Sequence, residues 1–151
     1  MTAPTTILAF DYGQRRIGVA IGQSVTATAR ALTTVQYQGG EPPWNRIRQL
    51  IADWKPQLLL VGLPLHADGR DSAFSGEARG FATSLRQHFD IPVELQDEYL
   101  SSAEAQSQLR AQRRNGMRNR RIAKGNIDAV AAALILESWF ETNKTYPSNQ
   151  P

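Results

Sequence analysis

Cysteine is absent from the chain, which excludes disulfides, thiol nucleophiles and any cysteine-ligated zinc or iron–sulfur site. Long apolar runs are missing too. The longest, Leu58–Val61 and Ala129–Leu136, fall far short of the roughly 20 residues that cross a bilayer. The opening MTAPTT lacks the basic stretch and apolar core of a secretory leader, so a cytoplasmic protein with no membrane partner is expected. Acid is missing from one long segment, residues 110–124, which holds seven of the seventeen basic side chains. The rest carries ten basic against fourteen acidic residues, so that one segment turns the net charge to +3. It also lacks aromatics, which favours contacts to phosphate over stacking on bases.

What is present is ordinary for a globular domain: 151 residues, 41% hydrophobic and 21% charged, with no internal repeat. One domain over 1–142 is expected, with a flexible tail over 143–151. TTILAFDYG reads as a strand stopped by Gly13, followed closely by IGVAIG at 17–22 and TARALTTVQY at 28–37. Two short connections make these three an antiparallel meander. A loop rich in Gly and Pro leads to a helix with Trp44, Ile47, Leu50, Ile51 and Trp54 at helical spacing. LLLVG at 58–62 reads as a buried parallel strand closed by Gly62 and Pro64. A helix of about fifteen residues follows, with Ala78, Phe81, Ala82, Leu85 and Phe89 on one face, then a last strand, IPVELQ. Ser101 and Glu104 have capping-box spacing for a weak helix, and the last helix begins near Asn126 as N-cap. The order β-β-β-α-β-α-β-α-α predicts an α/β domain with a mixed five-stranded sheet flanked by helices. Spacing alone is compatible with a ribonuclease-H-like fold and leaves other α/β sandwiches open.

Three acids occupy positions that need explaining. Asp11 ends the first strand, Asp97 and Glu98 follow the last, and Asp128 lies in the first turn of the most apolar helix. If the first and last strands lie near one another under that helix, the acids converge at one end of the sheet. Convergent carboxylates resist ionisation unless a cation sits among them. Oxygen-only ligands favour Mg2+ or Mn2+, one or two ions, and the chemistry such ions support is displacement at phosphorus. Each acid alone has a plainer reading: Asp11 as a turn residue, Glu98 as a loop acid, Asp128 as a partner of the helix dipole. Their joint placement beside the basic segment carries the functional reading. His66 and His88 have no metal-pair spacing and read as structural or exposed. Trp44, Trp54 and Trp139 read as core, and DYGQRRIG matches neither a P-loop nor a dinucleotide fingerprint.

Four motifs together are specific: FDYGQRRIGVAIGQ (10–23), VGLPLHADGRDS (61–72), DEYLSSAEA (97–105) and KGNIDAVAAALILESWFE (124–141). In order and spacing they resemble the YqgF family, ribonuclease-H-like proteins described as Holliday junction resolvases or pre-16S ribosomal RNA nucleases. The resemblance covers residues 7–141 and implies that Asp11, Glu98 and Asp128 are the catalytic, metal-binding acids, with Asp97 supporting them. It further implies that Lys124 and Arg16 contact phosphate and that the loop 62–68 borders the site. Here the segment before Lys124 is longer and richer in arginine than the family's short linker. This makes Arg113, Arg114, Arg118, Arg120 and Arg121 candidate nucleic-acid contacts.

The expected activity is therefore metal-dependent endonucleolytic cleavage of structured nucleic acid, first of pre-16S ribosomal RNA ends, with a pre-ribosomal particle as a partner. The alternative is resolution of branched DNA, which would need a two-fold dimer where RNA processing needs only a monomer. A non-catalytic binding module would keep the acids for metal-stabilised structure. A nucleotide-hydrolysing domain of the actin-like kind is disfavoured by length, since those enzymes close two such domains around the nucleotide.

Overall fold

The computed structural model describes residues 5–100 and 123–143. Its strands are β1 (Thr6–Asp11), β2 (Arg16–Gln23), β3 (Thr28–Gln36), β4 (Leu58–His66) and β5 (Val93–Leu100). The helices are α1 (Trp44–Trp54), α2 (Ser75–His88) and α3 (Ala123–Asn143). The sheet order is β3-β2-β1-β4-β5. The meander pairs antiparallel, as its short turns require, and β4 and β5 join in parallel through the crossovers α1 and α2. This is the ribonuclease-H-like arrangement.

Strand alternation divides the core into two layers. Leu8 and Phe10 of β1, with Ile17, Val19 and Ile21 of β2, point to α1 and α2, where they meet Ile47, Leu50, Phe81 and Leu85. Ile7 and Ala9 point the other way and pack with Ala20 and Leu60 against Ala132, Ala133, Ile135 and Leu136 of α3. One helix therefore covers a whole face. No helix among the described residues is long and apolar enough to cross a membrane.

The structure corrects three expected boundaries. β4 does not stop at Gly62 but runs to His66, and β5 runs to Leu100, so Asp97 and Glu98 lie inside the last strand. Beyond Val61 the ladder to β1 ends while that to β5 continues. Pro64 therefore sits where β4 has a free side, a place that tolerates a missing N–H. The last helix begins at Ala123, so Asn126 lies inside it and is not its cap. Phe89 lies just past α2, at its extended C-cap, and still packs on the core. The expected helix at Ser101–Glu104 and the tail from 144 fall outside the described residues. The three tryptophans take apolar roles: Trp44 stacks on His88 with ring centroids 3.8 Å apart, and Trp54 and Trp139 pack on the two cores.

Candidate active site

Alternation along β1 decides where Asp11 goes. It follows Ile7 and Ala9 on the face covered by α3, and the register sets it opposite Gly18 of β2. The same alternation turns Arg16, Gly18, Ala20 and Gly22 toward α3, while Ile17, Val19 and Ile21 enter the other core. Two of those four have no side chain. A methyl group on Gly18 would overlap the carbonyl carbon and oxygen of Asp128, and one on Gly22 would come 3.0 Å from a Leu136 methyl. The first described turns of α3 thus rest directly on the backbone of β2, which sets Asp128 beside Asp11.

Arg16 completes this corner. Its Nε lies 2.9 Å from Asp128 Oδ2, with the arginine side chain 37% exposed and the aspartate 17%. The contact is an ion pair by distance and not an aligned hydrogen bond, since the buried Oδ2 has no hydrogen-bond partner of acceptable geometry.

β5 brings the third acid to the same face. Glu94, Gln96 and Glu98 alternate toward α3, where Trp139 Nε1 donates to Glu94 at 3.1 Å and Gln96 Nε2 donates to Thr142 Oγ1 at 3.4 Å. Ser138 of α3 faces Glu98 and favours its charged form. Asp97 points to the opposite face. There Tyr99 donates its hydroxyl to Asp97 Oδ2 at 3.1 Å, and Arg79, paired with Asp71 at 2.8 Å, lies within electrostatic range. The adjacent acids that looked alike in sequence are separated by the sheet.

The electrostatics identify Asp11 as the shared member. Burial, reinforced by the charge of Asp128, pushes its pKa up to about 7. Burial also raises Glu98 to about 7, with the Ser138 hydroxyl pulling against it and the charges of Asp11 and Asp97 adding to the rise. Asp128 is raised by burial and held back by Arg16. Glu98 and Asp128 flank Asp11 rather than each other: Ser138, which faces Glu98, lies roughly 15 Å along the helix from Asp128. Among the described residues no three His, Asp or Glu side chains stand at the spacing of a closed ligand set.

These residues fit a hard divalent cation. Their donors are carboxylate oxygens, one of them buried without a hydrogen bond, and burial first, then the charge of neighbouring acids, makes Asp11 and Glu98 resist ionisation without a counter-charge.

The loop that borders this end is anchored from within. Ser72 and Ser75 both donate to the Pro64 carbonyl, at 2.8 and 2.6 Å, and Pro64 pairs with Glu98 in the ladder. Gly62 lies under Ile135 of α3, so its lack of a side chain serves helix packing. Lys124 falls in the first turn of α3, with its side chain outside the described residues, as are Arg113, Arg114, Arg118, Arg120 and Arg121. Two contributors have little or no signature in the sequence. Ser138 is a lone hydroxyl in an apolar helix, and Gly18 has only the alternation of glycine with Ile and Val along β2 to mark it.

The family described as RuvX, Holliday junction resolvase, matches residues 5–142. A protein of Glaesserella parasuis named "Putative pre-16S rRNA nuclease" is 48% identical over 136 residues, covering 90% of this chain and 96% of the relative. A Yersinia pestis protein of the same name is 48% identical over 139 residues, covering 92% and 96%. A structure of T. thermophilus RuvC in complex with a Holliday junction substrate aligns with a TM-score of 0.48 at 18% identity, over 92% of this chain and 96% of that one.

Proposed function

Since the chain belongs to the RuvX family, described as Holliday junction resolvases, we propose that it is a metal-dependent endonuclease acting on structured nucleic acid in the cytoplasm. Its first substrate is the ends of the 16S ribosomal RNA precursor, met on a pre-ribosomal particle. The name shared by its relatives supports this choice over branched DNA. The observation that carries the reading is Asp11, held on the α3 face with Asp128 and Glu98 as its two acidic neighbours.

Asp11, Glu98 and Asp128 would hold one or two Mg2+ or Mn2+ ions. When bound, such an ion neutralises charge developing on the phosphate and acidifies water. The protein's own groups do the rest. Asp11 and Asp128 are held in place by the β1 end and by the helix resting on Gly18. Glu98, facing Ser138 of α3, orients the attacking water and receives its proton. A water oxygen bonds to phosphorus as the bond to the leaving sugar oxygen breaks. One product therefore ends in a phosphate and the other in a hydroxyl.

Cleavage of end-labelled precursor RNA and of a four-way DNA junction, with Mg2+, Mn2+ or chelator, tests this reading. Asp128→Asn removes a ligand charge with little change of shape. It is expected to cut metal-dependent cleavage by about 100-fold or more while leaving the fold intact by circular dichroism. Metal-independent binding with no cleavage, the same in the variant, would leave a binding module instead.

The basic segment gives a second expectation. Replacing Arg118, Arg120 and Arg121 together by alanine is expected to flatten the dependence of log K on log salt by about 2, since each phosphate contact on a single strand contributes about 0.7. An unchanged slope in a filter-binding titration would remove the segment from the interface.

A further inference from the structure

The pairing of Arg16 with Asp128 is the one feature of the site that the endonuclease reading does not need. Arg16 pairs with Asp128, and among the described residues it makes no ion pair with Asp11 or Glu98. It touches one proposed ligand and leaves the shared one alone. The guanidinium lies 2.9 Å from the Asp128 oxygen without an aligned hydrogen bond, and its side chain is 37% exposed. An arginine built to anchor a helix would make the bidentate, aligned contact to which its planar fork is suited. This one offers charge in a geometry that leaves Oδ2 without a hydrogen bond. The position is also close at hand for exchange, because Arg16 begins β2, right after the Tyr12–Arg15 turn that follows Asp11.

We propose that Arg16 is a placeholder counter-charge: it neutralises Asp128 while no metal is bound, and a divalent cation displaces it. This rests on the metal-binding reading above and adds to it an order of events. With Asp128 taken up by metal, the guanidinium is left beside the site with its charge unpaired, free to take a phosphate oxygen of the bound strand. The residue thereby couples metal loading to substrate capture. A metal-loaded site offers a free arginine to phosphate, and an empty one does not. Removing the placeholder therefore has opposite effects on the two ligands. Metal no longer competes with an internal cation and binds more tightly, whereas nucleic acid loses a contact and binds more weakly.

The test is a calorimetric titration of the full-length protein with Mn2+ in the absence of nucleic acid, for wild type, Arg16→Met and Arg16→Lys. The methionine keeps much of the aliphatic stem and removes the charge; the lysine restores a charge without the planar fork. Arg16→Met is expected to bind Mn2+ about two- to fivefold more tightly than wild type, the range set by losing a partly exposed ion pair. Arg16→Lys is expected to return the affinity close to wild type. Binding of an RNA oligonucleotide at saturating Ca2+ is expected to weaken severalfold in Arg16→Met and to be rescued in part by lysine. Equal or weaker Mn2+ binding by a folded Arg16→Met, with wild-type binding intact, would mean that Arg16 merely holds α3 and would overturn the proposal alone. Absence of Mn2+ binding in wild type and both variants would sink the metal reading, and the placeholder with it. Thermal unfolding of each variant separates a changed affinity from a misfolded site.

Discussion

Replacing Gly18 by alanine is expected to abolish metal-dependent cleavage and to lower the melting temperature by about 5–10 °C, the largest effect of any single methyl group added at this site. The reason lies in what the methyl would meet. At Gly18 it overlaps backbone atoms of Asp128, and a backbone carbonyl cannot rotate aside as a side chain can. The start of α3 must lift off β2. Overpacking of this kind costs about 1–3 kcal/mol, and each kcal/mol lowers the melting temperature of a domain this size by about 2–4 °C. The effect on activity is larger than on stability. Lifting the helix carries Asp128 away from Asp11, and a displacement of about 1 Å costs on the order of 100-fold in rate. Two other glycines under the same helix serve as controls. At Gly62 the obstacle is the end of the Ile135 side chain, and at Gly22 it is a pair of Leu136 methyls at 3.0 and 3.1 Å. The side-chain atoms can yield by a change of rotamer, and at Gly22 the Thr28 carbonyl, 3.2 Å away, has to give by only a few tenths of an ångström. Alanine at either position is expected to lower stability modestly while retaining cleavage. Melting curves and single-turnover cleavage of the three variants check the order, and a Gly18→Ala protein as active as Gly22→Ala would refute it.

Much of this site is legible in the sequence, and what is not has a common cause. Asp11 ends β1 and Asp128 lies in the second turn of α3, not the first, but each borders an apolar run: an acid after ILAF and an acid before AVAAALIL interrupt a hydrophobic pattern, and interruption is visible in one dimension. The division between Asp97 and Glu98 is not. Two adjacent acids after a presumed strand end can both be loop residues, and only the extension of β4 past Gly62, supplying Leu63 and Pro64 as partners for Asp97 and Glu98, sends them to opposite faces. The roles of Gly18 and Gly62 are hidden for a related reason. A glycine in a strand can end it, bulge it or admit a helix, and the choice depends on what crosses the sheet there. The ion pair of Arg16 with Asp128 joins the start of the second strand to the last helix, so no local rule reaches it. Periodicity finds elements and their faces; contacts between distant faces follow only from register.

The buried acids also make the metal-free protein sensitive to pH in an unusual direction. Carboxylates stabilised by ion pairs favour the folded state as pH rises; Asp11 and Glu98 do the reverse. In the folded protein both have pKa values raised to about 7, from the ordinary 3.8 of an aspartate and 4.5 of a glutamate, because burial penalises their charged forms. The folded state therefore holds protons that the unfolded state has released. At these two groups no stability is lost below about pH 4, where both states are protonated, and their cost grows progressively from there to about pH 7. For a single carboxyl group, each pH unit between its unfolded and folded titrations costs about 1.4 kcal/mol. The coupling of the two acids and the partial exposure of Glu98 reduce their sum, leaving a loss of several kcal/mol across that window. A divalent cation bound to the ionised acids cancels the loss. Its effect must be large at pH 7.5 and small at pH 5, where binding has to displace protons. Thermal melts in chelator are expected to show the melting temperature falling between pH 5 and 7.5, and millimolar Mn2+ to recover most of the fall at pH 7.5. Asp11→Asn removes the group that both others repel. The variant is expected to melt higher than wild type in chelator at pH 7.5, to lose much of the pH slope and to gain little from Mn2+. A wild-type protein whose metal-free stability rises from pH 5 to 7.5 would show that Asp11 and Glu98 are ionised without cost, and the case for a cation at their junction would fall with it.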